Sequence, residues 1–372
     1  MATPPPIPIP TQMRAIQVTA YNEPYKINTV PVPALGPRDL LVKVAVASYC
    51  HTDGMVAAGV FGTKLPVTAS HEGAGTVVAV GEEVRPGGPE GFAVGDRVMC
   101  GLPLHPCGEC ADCVGGVEGL GEGEGVQQYC TRTAGHVGVH VDGCFAEYVR
   151  VDARFTTKLP DAVSLRDAAP LACAGRTAWR GVKVAGGRAG EWLAVVGSGG
   201  GLGHLGVQFA RAMGVRVVGV DARDEGLRIS RECGADVVLD ARAGTAAVVA
   251  EVRRVTGGEG ARAAVVLADA AGATALAAAA TRMHGTVVQI AQPDEVAVPF
   301  RELVFRDVRV RGSLLCSPAE SRDMVGFIAE HGGIRVETTA FLGLESIGEL
   351  MGLVGSGRLR GKAVIVVDKE QR

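Results

Sequence analysis

The chain has 372 residues, of which 47% are hydrophobic and 21% charged, with a formal net charge of −3. That length allows two domains, each with its own core. A near-neutral balance without a basic run, and only 4% aromatic residues, leave no electrostatic or stacking surface for nucleic acid and no attraction to an anionic membrane.

The chain opens on a proline-rich arm, Met1 to Pro10, which should be extended. It lacks the basic and apolar regions of a secretory signal. No run of about 18 apolar residues follows, so no transmembrane helix is expected, and the cytoplasm is the expected compartment. Residues 12–100 hold short valine-dense runs broken by Gly and Pro, such as Leu40 to Val46 and Gly75 to Gly81. They read as strands of a mainly β region. Within it stand Cys50-His51-Thr52-Asp53 and His71-Glu72.

Cys107, Cys110 and Cys113 follow at two-residue spacings, with Cys130 after a longer gap. Four thiolates brought together by such spacing suit a tetrahedral structural zinc. The lobe should span about residues 100–135. The run from Gly115 to Gly125 cannot pack a core and reads as a flexible excursion. Cys173 comes later. With Cys50 and His71 it would make a second zinc set of two thiolates and one imidazole, with one position open. Nothing in their spacing shows that these three converge.

From Trp192 the rhythm changes. Trp192 to Val196 is an apolar run, then come the glycines Gly197 to Gly203 and a helical pattern through Met213. Val215 to Asp221 is the next strand. Further strands are expected at 237–239, 263–267, 286–290 and 308–315. Six buried strands alternating with helices imply an α/β, doubly wound parallel (Rossmann) domain. The strict G-x-G-x-x-G register fails at Leu202. Gly197, Gly200 and Gly203 fit instead, with Gly201 and Leu202 in the same turn. A glycine turn opening a helix suits a pyrophosphate. Asp221 would accept hydrogen bonds from the adenosine ribose and repel a 2′-phosphate, which favours NAD. Arg223 nearby works against that choice.

These motifs together resemble the zinc-dependent medium-chain alcohol dehydrogenase family, closest to its yeast-type branch. The matching segments are Cys50 to Asp53, His71 to Gly75 with Gly81, the cysteine lobe, Leu171 to Trp179, and the glycine turn through Asp221. The resemblance runs over the chain beyond the N-terminal arm. It implies a mainly β, GroES-like catalytic domain over 1–170, an NAD-binding Rossmann domain over 171–315, and a return to the first domain over 316–372. It also implies two zinc ions per chain. Cys50, His71 and Cys173 would hold the catalytic zinc, and Cys107, Cys110, Cys113 and Cys130 the structural one. Glu72 would lie behind the metal and Asp53 would orient His71. Thr52 would take the alcohol proton, His51 and Lys362 would face the cofactor pyrophosphate, and Thr177 would pack beside the nicotinamide. The reaction implied is hydride transfer between NAD(H) and an alcohol and its aldehyde or ketone. The chain should pair through an edge strand, with Val308 to Leu315 the candidate, into a homo-oligomer, dimer or tetramer.

The chain departs from the family pattern in several places. Sixteen residues separate Cys113 from Cys130, where about seven are usual in the family. Ser70 replaces the glycine before the metal histidine, a conservative change by sequence. Met55 stands near the family's proton-relay histidine. Leu102 and Phe61 stand where pocket tryptophans are expected. A polyol or secondary-alcohol dehydrogenase, a glutathione-adduct formaldehyde dehydrogenase, and a zinc-binding protein without catalysis are the alternatives.

Overall fold

The computed structural model describes residues 8–87, 91–115 and 125–371. The glycine-rich excursion read between Gly115 and Gly125 lies mostly outside them. The chain forms two compact units. The first comprises residues 1–173, 317–330 and 338–372, and the second residues 174–316 and 331–337.

The first unit is built on an antiparallel sheet around the strand Asp39–Ser48. That strand pairs with Glu72–Val80, Tyr148–Asp152 and Lys362–Val366. Nine of its ten residues are buried, so both of its faces are covered, and it reads as a continuous apolar run rather than a clean alternation. Two register shifts against Glu72–Val80, at Leu41/Val42 and at Val44/Val46, bend the pair. The core gathers Ile16, Leu40, Val42, Val77, Phe92, Phe145 and Ile365. The C-terminal strand returns here because Val364 and Ile365 pair with Ser48 and Ala47.

The second unit is a six-stranded parallel sheet. Its order is 237–240, 216–221, 192–196, 261–266, 281–289 and 309–312. Helices Gly203–Ala212, Asp224–Glu232, Thr245–Val255 and Ala273–Ala280 alternate with the strands. Six strands were expected and six are present, but they are not all buried. Val237–Asp240 is only half-buried and Arg309–Gly312 is exposed along its length, because both lie at sheet edges.

The unit boundary differs from the expected residue 171. Cys173 belongs to the first unit, where its thiol meets Cys50 and His71. Residues 331–337 also rejoin the second unit. There the Arg335 N–H donates to Gln208 Oε1 at 2.8 Å and the Glu337 N–H to His204 Nε2 at 3.1 Å. Among the described residues, no helix is long and apolar enough to cross a membrane.

Candidate active site and metal centres

Cys50 caps the helix His51–Ala57, and Asp53 is the third residue of that helix. The Asp53 carboxylate turns back so that Oδ2 accepts the Cys50 N–H at 2.8 Å. This reciprocal cap satisfies one of the helix's orphan donors. The other oxygen, Oδ1, stands 3.3 Å from His71 Nδ1, an electrostatic contact rather than a well-formed hydrogen bond. One carboxylate therefore places two of the expected ligands at once and leaves His71 Nε2 as the free donor. Cys173 arrives from a third element, a π turn spanning Leu171–Gly175 between two α-helical segments. Such i→i+5 bulges are uncommon and concentrate at functional positions.

Donor atoms of Cys50, His71, Glu72 and Cys173 all lie within 4.8 Å of one another, and the four residues are buried or half-buried. The donors suit zinc: two thiols and an imidazole, with a carboxylate behind them. Glu72 does not simply close the set as a fourth ligand. Its Oε1 and Oε2 stand 2.9 and 2.7 Å from Lys362 Nζ, and both residues are buried. Lys362, expected to face the cofactor pyrophosphate, has Glu72 as its carboxylate partner. A buried ammonium needs a counter-charge, and the structure gives it Glu72.

The charges follow from this packing. Burial pushes the Glu72 carboxyl up to about 7, against the pull of Lys362. The Cys50 thiol is drawn well below its usual range by a hydrogen bond from Cys173, with Lys362 and His71 adding to the pull. Burial works to lower the pKa of His71, but Asp53 and Cys50 outweigh it and hold the imidazole well above its ordinary value.

Ser70 supplies a feature the sequence hides. Its φ is +69°, a left-handed conformation that costs a non-glycine residue about 1–2 kcal/mol. The substitution for glycine is therefore not conservative for the backbone. The hydroxyl compensates by donating to the Ser48 carbonyl at 2.9 Å. Gly138 and Gly143 press on the Ser70 carbonyl from outside, where added Cβ atoms would stand 2.3 and 2.1 Å from it. Ser70→Ala keeps the strain and loses the bond, so it should destabilise by about 1 kcal/mol. Ser70→Gly loses both and should be near neutral. Urea denaturation of the two variants checks the order, and equal losses would mean the backbone strain is not relieved.

The cysteine lobe is a separate centre. Thiols of Cys107, Cys110, Cys113 and Cys130 also lie within 4.8 Å of one another. The Cys107 and Cys113 sulfurs are 3.9 Å apart, close to the ~3.8 Å edge of a tetrahedron with 2.3 Å zinc–sulfur bonds. The N–H groups of Cys107 and Cys110 donate to the sulfurs of Cys130 and Cys107, each at 3.4 Å. The Glu109 N–H draws Cys107 down to about 6, while burial pushes Cys113 up to about 12. Four adjacent sulfurs cannot all ionise without a cation among them, so the lobe fits a zinc ion.

In the second unit the glycine turn follows the strand Trp192–Val196 and opens the helix Gly203–Ala212. The glycines that sterics demand are not quite those read from spacing. Gly197 has φ +86°. At Gly199 a Cβ would lie 2.0 Å from the Gly226 carbonyl, and at Gly203 2.0 Å from the Gly197 carbonyl, whereas at Gly200 it would meet nothing closer than 3.3 Å. Gly199 also donates its N–H to Asp221 Oδ2 at 3.0 Å. The sequence reading did not single out Gly199, although the first two glycines of a G-x-G pattern, Gly197 and Gly199, stand in the chain. Asp221 ends its strand, and its Oδ1 accepts the Arg223 N–H at 3.0 Å. Gly200, Gly201 and Leu202 complete the turn, and Thr177 is buried in the helix Arg176–Ala185.

Comparisons with known proteins agree with this geometry. Residues 36–161 match the alcohol dehydrogenase GroES-like domain and residues 201–330 the zinc-binding dehydrogenase domain. An alcohol dehydrogenase of Geobacillus stearothermophilus is 34% identical over 360 residues, which is 96% of this chain and all of that one. The chain belongs to the zinc-dependent medium-chain alcohol dehydrogenase family. Alcohol dehydrogenase 1 of Emericella nidulans is 33% identical, covering 96% of this chain and 98% of its own. Among solved structures, the alcohol dehydrogenase of Aeropyrum pernix superposes with a TM-score of 0.82 at 30% identity, over 95% of this chain and 99% of that one. An NAD-dependent alcohol dehydrogenase gives 0.83 at 29%, over 95% and 100%. In this dehydrogenase family the second unit is the NAD-binding Rossmann domain, and zinc and NAD are the cofactors.

Proposed function

We propose that this dehydrogenase, of the yeast-type branch, acts on primary alcohols bulkier than ethanol. It would hold two zinc ions per chain and work in the cytoplasm as a homo-oligomer. What supports catalysis over a purely structural metal is the Lys362 contact. It engages both Glu72 oxygens, leaving Cys50, His71 and Cys173 as three ligands with one position for substrate. Zinc held there supplies Lewis-acid polarisation of the substrate oxygen, and NAD supplies the hydride acceptor.

The chain's own residues do the rest. Asp53 fixes the Cys50 backbone and the His71 ring. Thr52 stands at the metal set, its Oγ1 3.9 Å from Cys50 Sγ. It can relay the alcohol proton, but a hydroxyl cannot hold it at neutral pH. His51 lies beside it at the exposed start of the same helix and takes the proton toward solvent, since Met55 offers no titratable group. For pairing, the exposed edge strand Arg309–Gly312 continues into a surface with Phe300, Val304 and Phe305 more than 60% exposed.

Leu102 in place of a pocket tryptophan removes a rigid wall, so the pocket should reward longer alcohols. Each methylene enclosed adds about 0.8 kcal/mol, roughly fourfold in kcat/KM. Steady-state assays with ethanol, 1-hexanol and benzyl alcohol should rank ethanol last. An enzyme that turns over ethanol best and rejects benzyl alcohol would overturn the substrate reading. Preference for polyols, secondary alcohols or the glutathione adduct of formaldehyde would select an alternative. For the cofactor, Asp221→Asn should raise the NADP-to-NAD ratio of kcat/KM by about tenfold, as the carboxylate no longer repels a 2′-phosphate and Arg223 can approach it. Equal use of both cofactors by the unmutated protein would contradict the NAD reading.

A further inference from the structure

His136 ends the short strand Gly135–His136, and His140 closes the turn behind it. The N–H groups of Val139, His140 and Val141 converge on the His136 carbonyl at 3.0, 2.8 and 3.3 Å. The turn is pinned further by its glycines. Gly135 has φ +143°, and a Cβ there would stand 3.0 Å from the His140 Cβ. Gly138 has φ +72° and packs on the Ser70 carbonyl. The backbone therefore holds the two rings side by side, with centroids 5.3 Å apart and planes at 50°.

The two Nδ1 atoms face each other at 3.3 Å. That is long for a hydrogen bond between ring nitrogens. It equals the ligand–ligand edge of a tetrahedron with zinc–nitrogen bonds of 2.0–2.1 Å, about 3.3–3.4 Å. His136 is half-buried and His140 exposed, so an ion can enter from solvent. Burial, with the charges of His140 and His71 that face it, pushes His136 down to about 4, which leaves its imidazole neutral and able to ligate near pH 7. Among the described residues neither histidine belongs to the two larger donor clusters.

We propose that His136 and His140 form a third metal site, an exposed bidentate one for a divalent transition ion of zinc's chemistry, with water completing the coordination. Imidazole suits Zn²⁺, Cu²⁺ and Ni²⁺, and two protein ligands should bind more weakly than either cysteine-built set. The site has a route to the catalytic centre. Its turn leads into Gly143 and Cys144, whose N–H groups donate to the Thr68 and Ser70 carbonyls at 2.9 and 2.6 Å, one residue before His71.

The test is calorimetric titration of the zinc-loaded enzyme with Zn²⁺. The unmutated protein should take up one further ion per chain. His136→Gln and His140→Gln should each weaken that uptake by about tenfold or more, while retaining the tightly held zinc and the alcohol turnover measured without added zinc. His140 is exposed, so its variant should fold even if the His136 variant does not. Absence of the further ion, or its uptake undiminished by His140→Gln, would overturn the proposal and leave the pair a histidine–histidine contact only.

Discussion

Replacing Cys173 with alanine should lower kcat by about 10³-fold or more, because Lewis-acid stabilisation worth several kcal/mol is lost. The fold should survive. Cys173 sits in a π turn rather than in a strand of either sheet, and the lobe cysteines form a second cluster that does not include it. Elemental analysis should accordingly fall from two zinc ions per chain to one, with an unchanged far-ultraviolet circular dichroism spectrum. Two retained ions alongside lost activity would mean that Glu72 has moved in as a ligand. Retained activity would remove Cys173 from the catalytic set.

Lys362→Met should destabilise the protein by about 3–5 kcal/mol, the usual consequence of leaving one member of a buried ion pair unpaired. Here the stranded group is Glu72, which is fully buried and has both oxygens on Lys362. The double variant Glu72→Gln with Lys362→Met should recover much of the loss, since no charge is then stranded. Urea denaturation of the zinc-loaded proteins measures both. A single-variant loss below about 1 kcal/mol would mean that Glu72 finds another partner or takes up a proton. The same lysine also helps hold Cys50 acidic, so the single variant should bind the catalytic zinc less tightly.

Much of this was legible in the chain. The apolar runs at 40–46 and 192–196 became strands because their valine-rich segments suit a pleated sheet covered on both faces. The lobe was readable because its ligands are close in sequence. Cys50, His71 and Cys173 were a different matter. They come from a helix cap, the residue before a strand and a π turn, and only the family resemblance linked them. The Lys362 partner could not be read because the strand Lys362–Val366 meets Glu72 across 290 positions. The positive φ of Ser70 leaves no trace in composition. The steric demand for glycine at Gly199 rather than Gly200 was not legible, because spacing alone does not show which of several glycines a neighbouring carbonyl presses upon.

The long interval in the cysteine lobe bears on protein engineering. Sixteen residues lie between Cys113 and Cys130, yet both thiols still reach the other two. Closing a flexible loop grows costlier only with the logarithm of its length, so sixteen residues instead of about seven add roughly 0.7 kcal/mol. The metal-binding energy of a four-thiolate site is many times that. Foreign sequence, such as an affinity epitope or a reporter peptide, spliced between Cys113 and Cys130 should therefore carry little thermodynamic penalty so long as the turn Gln127–Tyr129 and the bond from the Val126 N–H to the Asp112 carbonyl are kept.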